Sequence, residues 1–145
     1  DGIRDIGVTG VQTCALPDLI EMMNQYSAVK YMDFNLNFTV PRPERLDFNA
    51  QTTLYRIVQE MTNNTLKYAD ATKVDLAISV ISKNLVMKYR DNGKGFSMEN
   101  IKLGVGLKSI NSRVKFYNGE VELKSSPNNG VNFIIQIPLD NLLKK

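Results

Sequence analysis

The sequence contains no histidine and a single cysteine, Cys14. The lack of histidine removes the commonest general base and metal ligand near neutral pH. One cysteine cannot form an internal disulfide, which favours a reducing compartment. No apolar run approaches the ~18 residues needed to cross a bilayer, and no run of five or six like charges marks a nucleic-acid-binding arm. These absences lead us to expect a cytoplasmic chain that contacts neither membrane nor nucleic acid.

The composition is that of one ordinary globular domain. The chain has 145 residues, of which 43% are hydrophobic, and a formal net charge of +3. This length supports a single domain with a modest core. Residues 1–17 fit no secondary-structure element, because glycine and threonine are scattered without a period before Pro17. They resemble translated sequencing-adapter read-through, and we expect a non-native or disordered leader.

Hydrophobic periodicity places helices and strands along the rest of the chain. Residues 18–32 have helical spacing, and residues 33–40 alternate as a half-buried strand. A long helix from Thr52 to Tyr68 is followed by two strands, a helix and a terminal hairpin. Strands on both sides of helices predict an α/β (α+β) fold. We expect a two-layer sandwich, with a mixed, largely antiparallel sheet and helices on one face.

The long helix carries two different faces. Its apolar positions fall on one arc at about 100° per residue; they are Leu54, Ile57, Val58, Met61 and Thr65. Beside this arc, Glu60, Asn64 and Lys67 form a polar stripe. Such a stripe is either solvated surface or one wall of a site, and the helix alone leaves both readings open.

Four glycines cluster after Asp91, at positions 93, 95, 104 and 106. Glycine at this density marks tight turns. The cluster is preceded by a short apolar strand and followed by helical spacing, and glycines at a helix start also favour phosphate binding. Two common phosphate loops are excluded, because neither G-x-x-x-x-G-K-[ST] nor G-x-G-x-x-G occurs.

Three motifs follow one another along the chain: Glu60-x-x-x-Asn64-x-x-Lys67-Tyr68, Asp91-x-Gly93-x-Gly95-Phe96 and Gly104-x-Gly106-Leu107. Together they resemble the three nucleotide boxes of the ATP-binding domain of bacterial sensor histidine kinases. This GHKL, or Bergerat, fold is shared by the gyrase, chaperone and mismatch-repair ATPases. The resemblance covers about residues 25–140. The stretch LYRIVQEMTNNTLKYADAT is similar to nitrate-sensor and desaturase-sensor kinases, whose ATP lid is short, here only residues 97–103.

The resemblance implies roles for the residues of the helix. Asn64 would supply an amide oxygen to Mg²⁺, which bridges the phosphates of ATP. Glu60 would hydrogen-bond metal-bound water or act as general base. Lys67 would reach phosphate oxygens as a point charge. Tyr68 would stack on adenine or simply pack.

The glycine boxes would hold the base and the lid. Asp91, an acceptor, would receive the exocyclic amine of adenine, with Gly93 and Gly95 letting the base lie against the backbone. Phe96 is expected to anchor the lid in the core. The second box would form the lid hinge and the phosphate-facing turn; its residues are Gly104, Val105, Gly106 and Leu107.

The chain departs from the family in two places. Members usually carry Gly-Thr in the last turn, where this chain has Asn129-Gly130-Val131-Asn132, so a hydroxyl contact is missing or replaced. A sensor kinase also phosphorylates a histidine on a separate dimerisation segment, and this chain has no histidine. We therefore expect the acceptor to lie upstream of these residues.

The resemblance also implies an organisation and partners. It divides the chain into the leader at 1–17, the end of a dimerisation-segment helix at 18–32, an ATP-binding kinase domain at 33–140 and a tail at 141–145. Partners would be ATP, a histidine-bearing dimerisation domain and a response regulator. Two alternatives stay open: a nucleotide-binding regulatory module whose chemistry has decayed, and an anti-sigma-factor-type serine kinase on the same fold.

Overall fold

The computed structural model describes residues 7–10, 16–29, 32–100 and 105–145. Six strands and three α-helices follow one another along this part of the chain. They are β1 (Gly7–Gly10), α1 (Leu16–Val29), β2 (Asp33–Thr39), α2 (Phe48–Tyr68), β3 (Lys73–Ile81), β4 (Asn84–Asp91), α3 (Val105–Phe116), β5 (Glu120–Ser125) and β6 (Val131–Pro138).

The strands form one mixed sheet in the order β1-β2-β3-β4-β6-β5. β1, β2 and β3 run parallel to one another, because α1 and α2 provide the long crossovers that parallel neighbours require. The other three pairs are antiparallel. The predicted mixed, largely antiparallel sheet is confirmed.

One face of the sheet forms the core with the helices. Alternate strand positions are buried there: Phe34, Leu36, Phe38, Val74, Leu76, Ile78, Leu85, Met87, Tyr89, Phe133, Ile135 and Ile137. The whole predicted apolar arc of α2, including Thr65, is buried against them. The prediction of helices on one face is thereby confirmed, and α2 presents its polar stripe at the border of this core.

The expectation that residues 1–17 fit no element is wrong for the part that the structure describes. Gly7–Gly10 form β1 and pair in parallel with β2 from Asn35 to Phe38. α1 begins at Leu16, two residues before the predicted start. β1 is an edge strand of the sheet, beside β2. Strand pairing uses main-chain groups, so a segment of glycine and threonine can join the sheet through its backbone alone.

α2 begins at Phe48 rather than at Thr52. Asp47 is its N-cap, and its carboxylate accepts a hydrogen bond of 3.0 Å from the main-chain N–H of Asn49. An N-cap of this kind satisfies one of the free N–H groups of the first turn. The apolar pattern begins only at Leu54, so periodicity alone placed the start one turn late.

The predicted tail at 141–145 is packed against the domain. Leu142 is fully buried, and its carbonyl accepts from the main-chain N–H of Asp47. Leu143 forms a β-bridge with Leu46. The end of the chain therefore braces the segment that leads into α2.

Candidate functional site

Asp91 lies at the end of β4 and is only 2% exposed. One carboxylate oxygen, Oδ1, accepts from the main-chain N–H groups of Gly93 at 3.0 Å and Val131 at 3.1 Å. The other, Oδ2, accepts from the Thr65 hydroxyl at 2.8 Å. A carboxylate has about four acceptor positions. Asp91 is thus fixed from three elements and retains capacity for one further donor.

Sequence reasoning missed Thr65 as a site residue. Its spacing placed it on the apolar arc of α2, and it is buried there as expected, at 2% exposure. The structure adds that its hydroxyl lies against Asp91. A threonine among apolar core positions, opposite a strand that ends in an acid, was the signal that could have identified it.

The glycines of the first box bring backbone segments of the protein together. A Cβ on Gly93 would overlap the carbonyl oxygen of Ala69, at the end of α2. Gly95 has φ +60°, and a Cβ there would overlap the carbonyl oxygen of Ser126 in the β5–β6 turn. Both glycines are therefore required by packing of the chain on itself. Their proposed contact with a base stays a prediction.

The polar stripe of α2 contacts α3 through Glu60. Glu60 and Asn64 are half-buried and Lys67 is exposed. Glu60 Oε1 lies 3.9 Å from Arg113 Nε of α3. Its other oxygen, Oε2, is buried without a hydrogen-bond partner among residues 7–10, 16–29, 32–100 and 105–145. An unpaired buried acceptor is costly, and a donor such as a metal-bound water would satisfy it.

The second glycine box lies at the start of α3. Gly104 falls outside the described residues, while Val105 and Gly106 open the helix. Leu107 is partly buried against the core. The helix predicted after this box is confirmed: it has twelve residues and begins at Val105, so that Gly106 lies in its first turn.

The two predicted aromatic residues occupy different environments. Tyr68, in the last turn of α2, is 67% exposed, so it packs little against its own domain and leaves its ring available. Phe96 is half-buried and is not among the residues of the buried core in the described part of the chain. Its main-chain N–H donates to Ser125 Oγ at 3.0 Å. The backbone of Phe96, rather than its ring, ties the glycine loop to β5.

No group of three or more acidic, cysteine or histidine side chains that could hold a metal ion occurs among the described residues. Mg²⁺ in nucleotide sites is commonly bound through one or two side chains together with substrate phosphates and waters. Asn64 and the unpaired Glu60 oxygen on one helix fit that mode.

A groove of about 1000 Å³ runs between α2 and α3. The residues that line it include Thr52, Thr53, Arg113 and Phe116, from the first half of α2 and the second half of α3. Asn64 and Asp91 are not part of its lining. None of the helices in the described part of the chain combines the length and the hydropathy that a membrane-spanning segment requires.

Comparison with known proteins identifies relatives of the whole domain. Residues 49–141 match the family described as histidine kinase-, DNA gyrase B- and HSP90-like ATPases. The chain is 34% identical over 101 residues to the signal transduction histidine-protein kinase/phosphatase DegS of Brevibacillus brevis, covering 69% of this chain and 26% of DegS. It is 30% identical over 111 residues to the oxygen sensor histidine kinase NreB of Staphylococcus carnosus (strain TM300), covering 75% and 31%. The chain spans about a quarter to a third of these relatives.

Solved structures show the same fold. The histidine kinase domain of the blue-light activated histidine kinase from Erythrobacter litoralis EL346 superimposes with a TM-score of 0.69 at 16% identity, over 92% of this chain and 72% of that one. The Acinetobacter baumannii histidine kinase AdeS also gives 0.69 at 16% identity, over 87% and 64%. The match over residues 49–141 includes the polar stripe of α2, Asp91 and both glycine boxes. The chain belongs to the family of histidine kinase-, DNA gyrase B- and HSP90-like ATPases.

Proposed function

We propose that this domain binds ATP with Mg²⁺ and donates the γ-phosphoryl group to a histidine on a dimerisation segment of a sensor kinase. The observation that carries the proposal is the buried Asp91 carboxylate, held by three donors and able to accept one more. The family and the names of its curated relatives support the same activity.

Asp91 would recognise adenine through its exocyclic amine. The remaining acceptor position of the carboxylate suits an N–H donor. Guanine presents a carbonyl oxygen at the same place on the ring, and two acceptors would face each other there. The site should therefore prefer ATP to GTP.

The stripe on α2 would hold the phosphates and the metal. Asn64 is the proposed Mg²⁺ ligand, and Lys67 would contact phosphate oxygens as a mobile point charge. The metal would supply neutralisation of the charge that develops on the transferred group. Glu60, with one buried oxygen unpaired, would orient metal-bound water or accept a proton from the attacking group.

The second glycine box would close the site. Gly104, Val105, Gly106 and Leu107 lead into α3, and the free N–H groups of a helix start attract phosphate. The segment between the two boxes, residues 97–103, would act as a short lid over ATP.

The acceptor must lie on another polypeptide segment, because these 145 residues contain no histidine. We propose that a histidine-bearing dimerisation domain accepts the phosphoryl group and passes it to a response regulator. The domain would then work in the cytoplasm, as part of a membrane-bound sensor.

The test is incubation with γ-labelled ATP and Mg²⁺, with and without the dimerisation domain of a closely related kinase supplied in trans. Alone, the chain should take up no acid-labile label. With the partner, weak acid-labile label should appear on the histidine of the partner, weak because the tethered effective concentration is lost. Acid-stable label on a serine of a target protein would instead favour the anti-sigma-type kinase, and no transfer to any partner would favour a regulatory module.

Glu60→Gln tests the proton-transfer role in the same assay. It should lower the rate of transfer by about 10²–10⁴-fold if Glu60 is a general base, while ATP binding is retained. Glu122→Gln is the matched control, since Glu122 lies on β5, is exposed and pairs with Lys124 at 3.0 Å. Equal rates for both variants would remove Glu60 from the chemistry.

A further inference from the structure

A chain of buried hydroxyl groups ends on Asp91. Tyr89 Oη and Thr65 Oγ1 are 2.6 Å apart, and Thr65 Oγ1 lies 2.8 Å from Asp91 Oδ2. The three residues are each 2% exposed or less. These two hydrogen bonds connect the interior of β4 to the end of the same strand through Thr65 of α2.

The direction of these hydrogen bonds follows from the count of protons. The Thr65 hydroxyl has one proton and three oxygens in range that could accept it: Tyr89 Oη at 2.6 Å, the Asp91 carboxylate at 2.8 Å and the carbonyl of Met61 at 3.3 Å. The carboxylate is the one charged acceptor of the three, and a hydrogen bond to a charged group is the strongest, so the proton points to Asp91. Tyr89 must then be the donor to Thr65 Oγ1, because the Thr65 proton is already used.

The β5–β6 turn supplies no hydroxyl to Asp91. The contact that follows this turn is the main-chain N–H of Val131, the first residue of β6, which donates to Oδ1 at 3.1 Å. Gly93, on the other side, also bonds Oδ1. Of these contacts, the Thr65 hydroxyl alone holds Oδ2. Without it, Oδ1 would act as a pivot about which the second oxygen could move.

We propose that Thr65, oriented by Tyr89, is a positioning residue that sets the selectivity of the site for a 6-amino purine. It would do so by fixing the plane of the Asp91 carboxylate, so that its remaining acceptor position points in one direction. A group that is already held in place loses little entropy when the ligand binds. This preorganisation raises both the affinity and the selectivity of the site. The inference rests on the proposed binding of ATP at Asp91.

The experiment compares ATP with purine riboside triphosphate, which lacks only the 6-amino group. Calorimetric affinities for the two, in Mg²⁺, define a selectivity ratio. Thr65→Val removes the hydroxyl but keeps the size and branching of the side chain. It should reduce the ratio roughly fivefold, the worth of about one hydrogen bond. Thr65→Ser, which keeps the hydroxyl, should restore the ratio.

Thr62→Val is the matched control. Thr62 is fully buried on the same helix, and its hydroxyl bonds the carbonyl of Val58 at 2.8 Å. Its removal should leave the ratio unchanged, even if the domain is less stable. Should Thr65→Val fail to fold, Tyr89→Phe removes the donor behind Thr65 and should lower the ratio in the same direction.

The outcomes separate this inference from the proposed function. If wild type binds ATP and purine riboside triphosphate with equal affinity, the Asp91 carboxylate does not recognise the 6-amino group. That result overturns the inference but leaves the proposed ATP binding intact. If wild type is selective but Thr65→Val and Thr62→Val have the same selectivity ratio, the inference is also overturned. An unchanged selectivity ratio in Tyr89→Phe overturns it as well. If wild type binds no ATP, both the inference and the proposed function fail.

Discussion

At the scale of the residue, the burial of the Asp91 charge requires compensation. An ionised carboxylate removed from water costs far more than a neutral polar group unless it is hydrogen-bonded. Two main-chain N–H groups and one hydroxyl provide that compensation. A carboxylate held in this way is already positioned before a ligand arrives.

Asp91→Asn should weaken ATP binding by about 1.5–3 kcal/mol, as for a hydrogen bond to a charged group. The amide keeps the shape but offers one acceptor oxygen, which the N–H groups of Gly93 and Val131 already occupy. The preference for ATP over GTP should narrow as well. Calorimetric titration with both nucleotides measures the two effects.

Asp75→Asn is the control for that change. Asp75 also lies in a strand, but its side chain is 49% exposed. Its carboxylate accepts a hydrogen bond from Asn35 and forms an ion pair with Lys73. The ATP affinity of the Asp75→Asn variant should equal that of wild type. An Asp91→Asn variant that also binds ATP as wild type does would remove Asp91 from the site.

Asn64→Ala should abolish the contribution of Mg²⁺ to ATP binding. Loss of a metal ligand is expected to lower metal affinity by more than about tenfold, since even outer-shell partners contribute that much. The measurement is the ratio of ATP affinities in Mg²⁺ and in chelator, which should approach one. Asn49→Ala, an exposed asparagine in the first turn of the same helix, should keep the wild-type ratio, and a similar ratio in both variants would refute the metal assignment.

At the scale of the element, the site depends on two turns that are packed together. The main-chain N–H of Asn128 donates to the carbonyl of Lys94 at 2.6 Å. Gly130 has φ +70°, and a Cβ on it would overlap the carbonyl oxygen of Asp91. The β5–β6 turn thus lies directly against the end of β4, which explains how Val131 reaches the carboxylate.

Gly130→Ala should destabilise the domain by about 1–3 kcal/mol from the left-handed backbone alone, and by more because of the overlap with Asp91. The free energy of unfolding in urea measures this. Asn128→Gly is the matched change in the same turn: Asn128 also has a positive φ, of 65°, which glycine adopts freely. It should stay within about 0.5 kcal/mol of wild type; equal stability of the two variants would contradict the packing argument.

Sequence patterns predicted the elements whose side chains alternate between core and solvent. Alternation of apolar and polar residues predicted β2, and helical spacing of apolar residues predicted the buried arc of α2. Both periods arise because each element buries one face. β1 was missed, since it pairs through its backbone and carries little side-chain pattern. The start of α2 was misplaced because the Asp47 cap is a local polar interaction that precedes the apolar residues.

The site could be predicted only in part for a related reason. Asp91 and the glycines stand in a recognisable spacing along the chain, so the sequence identifies them. The contacts of Thr65 and Val131 with Asp91 join residues 26 and 40 positions apart. Such contacts depend on the tertiary arrangement of α2, β4 and the β5–β6 turn, which no local pattern specifies.

At the scale of the whole molecule, the sheet brings these distant segments together. β4 lies in the interior of the sheet, between β3 and β6, so its end meets both the end of α2 and the turn that leads into β6. α3 lies beside α2, linked by the Glu60–Arg113 pair. The site is thus a property of the complete domain, and binding of a ligand there should stabilise the fold by mass action, by about 2.7 kcal/mol at a ligand concentration of 100 times Kd.

The most direct test of an adenine site at Asp91 is a calorimetric titration of the unaltered chain with ATP and with GTP, each in Mg²⁺. We expect saturable binding of one ATP per chain. GTP should bind at least about tenfold more weakly, a difference of 1.4 kcal/mol, because its carbonyl would face the Asp91 carboxylate. Absence of saturable ATP binding, or equal affinity for the two nucleotides, would contradict an adenine site at Asp91.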